Sequence, residues 1–80
     1  MSAHRLDARG LICPLPVLKA RKVLLSLPAG AMLTVTVTDS HAPKDFALFC
    51  AESGHRLASV EEKGDVTEVT VECRPPASFE

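Results

Sequence analysis

The clearest pattern in the chain is a strict alternation in "MLTVTVT" (32–38). Leu33, Val35 and Val37 fall on one side, and Thr34, Thr36 and Thr38 on the other, which predicts a strand with one buried and one wetter face. "VTEVTVEC" (66–73) repeats the pattern with Val69, Val71 and Cys73 inward, and "RLASVEE" (56–62) supplies another strand, joined to it by a turn at Lys63-Gly64-Asp65. "HRLDA" (4–8) is a short first strand anchored by Leu6. Between these runs the period changes. From Pro14 or Pro16 to Leu27 apolar residues recur at helical spacing, with Val17, Ala20, Leu24 and Leu27 on one face and Leu18 and Leu25 widening it. Pro28 and Gly30 stop that helix. "SHAPKDFALFCAES" (40–53) predicts a second helix, with Ser40 or Asp39 as its cap, Pro43 in its first turn, Phe46, Phe49 and Cys50 on its buried side and Gly54 at its end.

The order β-α-β-α-β-β, with one-sided strands, predicts an α+β two-layer sandwich: a four-stranded mixed sheet with both helices on one face. The first helix is a crossover, so the first two strands should be parallel. Residues after the first strand, including Cys13, and residues 39–45 after the second should then emerge at one edge of the sheet. The eighty residues are expected to form a single domain with an ordered core over about 4–73 and a mobile tail over 74–80.

Composition narrows the function classes. Nine basic and ten acidic side chains give a net charge of -1, and aromatic residues make up 4%, which speaks against stable nucleic-acid binding. The odd count of three cysteines, at 13, 50 and 73, is not that of a secreted disulfide framework. The polar start "MSAHRLDARG" and prolines that interrupt the apolar stretches predict a cytoplasmic protein with no membrane span. His4, His41 and His55 show no metal-ligand spacing with the cysteines.

Candidate chemistry centres on "GLICPLPVLKARK" (10–22). Pro14 suits a helix start, and the residue before a proline stays out of the α region, so Cys13 should lie extended at the positive end of the first helix. There the peptide dipoles are expected to lower its thiol pKa by roughly one unit and yield a useful nucleophile. A small buried hydrophobe at a strand-helix junction is the other reading of Cys13. His41, on the same predicted edge, is a candidate thiol-activating base. Asp39 and Asp45 share that edge, and helix capping suffices for both. Lys19, Arg21 and Lys22 form a basic strip suited to docking acidic partners, with Arg21 set inside the apolar arc. Cys50 and Cys73 should point into the core, remote from Cys13.

These residues resemble a known family. "LDARGLICPLPVLKARK" is similar to the signature of the TusA/SirA-like sulfur-carrier proteins, built around a Cys-Pro-x-Pro motif, here Cys13-Pro14-Leu15-Pro16. Leu6-Asp7 and Gly10-Leu11 precede the motif, Arg21-Lys22 follow it, and Pro28-Ala29-Gly30, Asp39 with Asp45, Phe49-Cys50 and Gly54-His55-Arg56-Leu57 extend the likeness to about Glu72. Leu15 stands where some members carry an acidic residue. The resemblance implies a sulfurtransferase that needs no cofactor, with Cys13 bearing a persulfide and Asp7, Gly10, Pro14 and Pro16 supporting it. It implies a cysteine desulfurase or another persulfide donor as one partner and a downstream acceptor as the other. The outlet would be tRNA thiolation, molybdenum-cofactor maturation or sulfur oxidation. The wet sheet face suggests a monomer that meets its partners transiently. Two alternatives stay open: a cofactor-free RNA- or protein-interaction module, and a regulatory thiol sensor.

Overall fold

The computed structural model describes residues 3–74. Its elements run β1 (Ala3–Ala8), α1 (Leu15–Leu24), β2 (Met32–Val37), α2 (Ala42–Ser53), β3 (Arg56–Lys63) and β4 (Val66–Glu72). The four strands form one sheet in the order β1-β2-β4-β3. β1 and β2 are parallel, with Leu6 opposite Val35, as a helical crossover requires. β4 is antiparallel to both β2 and β3, and the β3–β4 hairpin closes through Gly64 and Asp65, where Gly64 has φ +64°. The expected mixed sheet and element order are therefore those observed.

The alternation in β2 and β4 decides the layering. Leu33, Val35, Val37, Val69 and Val71 are fully buried and meet Ala20 and Leu24 of α1 and Phe46 and Cys50 of α2. The opposite face holds the threonines and ion pairs: Thr34 and Thr70 hydroxyls lie 3.0 Å apart, and Arg5 and Lys63 both reach Glu68. Phe46 is the largest side chain in the core, so truncating it to alanine costs about 3–5 kcal/mol.

Helix α1 corrects the sequence reading at both ends and on its face. It begins at Leu15, between the two candidate prolines, and its regular part stops at Leu24. Beyond that point the turn tightens: Ser26 N–H donates to Val23 O and Leu27 N–H to Leu24 O, at 3.0 and 3.1 Å, before Pro28 is reached. Leu18 and Leu25 do not widen the buried face. They are exposed, and Pro16 is buried with Ala20 and Leu24 instead. The physical reason is the 3.6-residue period: Pro16, Ala20 and Leu24 stack toward the sheet, which turns Leu18, Arg21, Lys22 and Leu25 out together.

Helix α2 begins at Ala42 with His41 in the cap position, rather than Ser40 or Asp39, and ends where Gly54, at φ +90°, donates its N–H to Cys50 O. Of the tail expected to be mobile, 75–80 lie outside the described residues. Arg74 is held, its N–H donating to His55 Nδ1 at 2.8 Å and its guanidinium facing Glu72.

Candidate functional site

The site forms where the chain leaves β1 and β2 at one edge of the sheet. Gly10, at φ +80°, makes the turn after β1 that a residue with a side chain adopts only with strain, and its N–H donates to Thr38 Oγ1 at 2.9 Å. Ile12 to Leu15 form a tight turn, closed by Leu15 N–H donating to Ile12 O at 2.8 Å, with Cys13 and Pro14 at its centre and a cis peptide between them. The Cys13 amide donates to Asp39 Oδ2 at 2.7 Å, while Asp39 Oδ1 accepts from the His41 amide at 3.0 Å. One carboxylate at the end of β2 thus ties the loop before α1 to the first turn of α2. These amides hold the Asp39 carboxyl below the usual carboxylate range, the His41 amide most of all. Asp39, expected only as a helix cap, instead fixes the reactive loop.

Cys13 is exposed, whereas Cys50 is 4% and Cys73 1% exposed; all three thiols are free. The sulfur opens on a groove of about 260 Å³ between α1 and α2, lined by Cys13, Pro14, Val17, Asp45, Leu48, Phe49 and Glu52. Asp45, Leu48, Phe49 and Glu52 are spaced as one face of α2, so helical periodicity around Asp45 was the available signal for the lining residues that sequence reasoning missed.

The charge at the sulfur overturns one expectation. The thiol pKa is raised, not lowered: the Asp45 carboxylate in the same groove favours the protonated thiol most, partial desolvation adds to this, and the charges of Asp45 and Asp39 add further. The helix dipole loses because it contributes only about 0.3–1 kcal/mol at an exposed terminus. The Leu15 N–H is also committed to Ile12 O.

The other candidates divide into two groups. Asp39 and Asp45 meet at Cys13 as described. His41 lies at the same edge, exposed, with Nδ1 3.5 Å from Asp39 Oδ1, and is not part of the groove lining. Asp7 stands back from the groove. Arg9, an unanticipated partner, holds it with two guanidinium contacts and its own amide, which brings the Asp7 carboxyl down to about 2. Lys19 donates to the Asp7 carbonyl at 3.3 Å, which fastens α1 to the end of β1. Arg21 and Lys22 are exposed beside Leu18 and Leu25 in a separate shallow hollow. Pro14 lines the groove, while Pro16 is buried beneath it. No group of histidine, cysteine, aspartate or glutamate able to hold a metal ion occurs among the described residues, and no helix there is long and apolar enough to cross a membrane.

Comparison with known proteins agrees with this architecture. The chain matches the family described as sulfurtransferase TusA over residues 4–73. It is 44% identical over 61 residues to the sulfur carrier protein TusA of Allochromatium vinosum, covering 76% of this chain and 80% of that one. It is 43% identical over 72 residues to a Neisseria meningitidis protein named as a candidate sulfur carrier, covering 90% of this chain and 97% of the relative. The crystal structure of a SirA-like protein from Desulfitobacterium hafniense superposes with a TM-score of 0.76 at 31% identity, over 86% of this chain and 95% of that chain. The β-α-β-α-β-β sandwich, the groove at its loop edge and these relatives lead to one assignment: the chain belongs to the TusA family of sulfur carriers.

Proposed function

We propose that Cys13 carries the sulfur, as a persulfide taken from a cysteine desulfurase or another persulfide donor and passed to an acceptor protein. The observation that supports this most is the contrast in access: Cys13 alone of the three thiols is exposed. In the loading step the Cys13 thiolate attacks the outer, sulfane sulfur of the donor persulfide. A new S–S bond forms on Cys13, the donor's S–S bond breaks, and the donor cysteine leaves as a thiolate. The proton lost from Cys13 ends on that thiolate, so no oxidant or reductant is consumed. Unloading repeats the exchange with the acceptor as nucleophile.

A carrier of this kind must not lose its sulfur to a second cysteine of its own. Cys73 Sγ lies against the carbonyls of Leu24 and Leu27, at 3.5 and 3.6 Å, beyond the far end of α1. Ten helical residues span about 15 Å, well outside the ~7 Å Cα limit for a disulfide. Cys50 is on the buried side of α2. Both placements weigh against a thiol sensor with a resolving cysteine. Partners would approach across the exposed strip of Leu18, Arg21, Lys22 and Leu25, where aliphatic surface and positive charge adjoin the groove.

Incubation with a cysteine desulfurase and cysteine, followed by intact-mass measurement, tests the proposal. One added sulfur on the native protein, missing from Cys13→Ser, is the expected result. An adduct that survives Cys13→Ser, or none on either protein, would overturn it.

A further inference from the structure

We propose that Asp45 is a positioning residue that holds the proton on Cys13 while the carrier is empty, so that the resting thiol is a poor nucleophile until a partner changes the charge around it. The inference rests on Cys13 as the sulfur-bearing atom and concerns how that atom is regulated.

The arrangement of charge carries the argument. The Asp45 side chain shares the groove with the sulfur, and its Oδ2 is shut off from solvent with no hydrogen-bond partner among the described residues. Such an oxygen stabilises whatever hydrogen comes near it and repels an adjacent anion. Every neighbouring element adds to the same sign or is neutralised. From α2 the groove receives Glu52 as well as Asp45; from the end of β2, Asp39 binds the Cys13 amide. The nearby basic side chains are directed elsewhere: Arg9 to Asp7 and Lys19 to the Asp7 carbonyl, while the His41 ring lies beside Asp39. Arg21 lines the next hollow, beyond Val17, with Glu52. Among the described residues, the groove that holds the sulfur is lined by no lysine, arginine or histidine.

Two consequences follow for the carrier. A donor or acceptor that presents a lysine or arginine to Asp45 and Glu52 offsets their charge and frees the thiolate at the moment of docking. Loading also moves the ionisable atom outward by one S–S bond, about 2.05 Å, away from the carboxylate. The loaded carrier therefore sheds much of the restraint that quiets the empty one, which protects it from adventitious oxidation between encounters.

The test is the pH profile of Cys13 alkylation by iodoacetamide, followed on the Cys13 peptide by mass spectrometry. Native protein is compared with the same protein unfolded in urea, and with Asp45→Asn. The native profile is expected to have its midpoint above that of the unfolded chain, and Asp45→Asn to bring it down, with several-fold faster alkylation at neutral pH and an unchanged circular dichroism spectrum. A native midpoint at or below the unfolded one, or an Asp45→Asn profile that superposes on the native one, would overturn the proposal. The native-against-unfolded comparison decides even if Asp45→Asn does not fold. Neither arm requires a persulfide to form, so failure here is distinct from failure of Cys13 to load.

Discussion

Cys13 and Cys73 stand at the two ends of one helix and meet opposite surroundings. At the amino end of α1, Cys13 is exposed on a groove that also holds two carboxylates. At the carboxyl end, Cys73 is sealed against the carbonyls of Leu24 and Leu27, and its own backbone pairs with Gly30 and Ala31. Both thiols have raised pKa values, Cys13 mainly through Asp45 and Cys73 through burial. The teaching of the comparison is that a raised pKa does not by itself make a thiol inert. A charge effect at an exposed group can be reversed by an arriving cation, whereas removal from water can be reversed only by unfolding.

The sharpest way to break this contrast is to count reactive thiols. Under native conditions an aromatic disulfide reagent should titrate one thiol per chain, Cys13, and after unfolding all three cysteines of the sequence. Rapid native reaction at Cys50 or Cys73 would contradict the assignment of roles.

Next in size is the loss of Asp39. Asp39→Ala leaves the amides of Cys13 and His41 without their common acceptor, so the two loops should part. Hydrogen exchange at both amides should rise by an order of magnitude or more while the β2 and β4 amides stay protected. Equal protection in the variant would show that the clamp is dispensable.

Cys73→Ala should cost about 1 kcal/mol in urea unfolding, the ordinary effect of a small vacancy in a core, and leave sulfur loading intact. Cys13→Ala should do the reverse, abolishing loading with little change in stability.

The smallest effect concerns acid. The Asp39 carboxyl is depressed in the fold, so its contribution to stability is complete above its ordinary value of 3.8 and is lost as pH falls through the lower folded value. Asp39→Asn should therefore show a smaller drop in melting temperature on acidification than the parent protein. An identical drop would mean that the clamp works equally well without its charge.

Much of this contrast was legible in the chain. The placement of Cys73 followed from its phase in an alternating strand, since Val69, Val71 and Cys73 share one face. The shared edge of Cys13, Asp39, His41 and Asp45 followed from the crossover rule. Leu18 and Leu25 were misplaced because Val17/Leu18 and Leu24/Leu25 are adjacent apolar pairs, and a pair of apolar neighbours does not reveal which member faces inward. The contacts of Arg9 with Asp7 and of Thr38 with Gly10 were not legible, because side-chain bonds made in loops follow no repeat, even where a residue such as Thr38 itself ends an alternating run.

Local pattern determined the elements, their order, the buried face of each strand and the position of the motif cysteine at a helix start, because side-chain period and proline geometry act over a few residues. Only the tertiary structure decided the electrostatics at the sulfur. Asp45 is 32 positions from Cys13 in the sequence, and it reaches the thiol only because parallel pairing of β1 with β2 brings α2 against the start of α1. The field of a helix end is inherent in the chain; the carboxylate that overrides it comes from the fold.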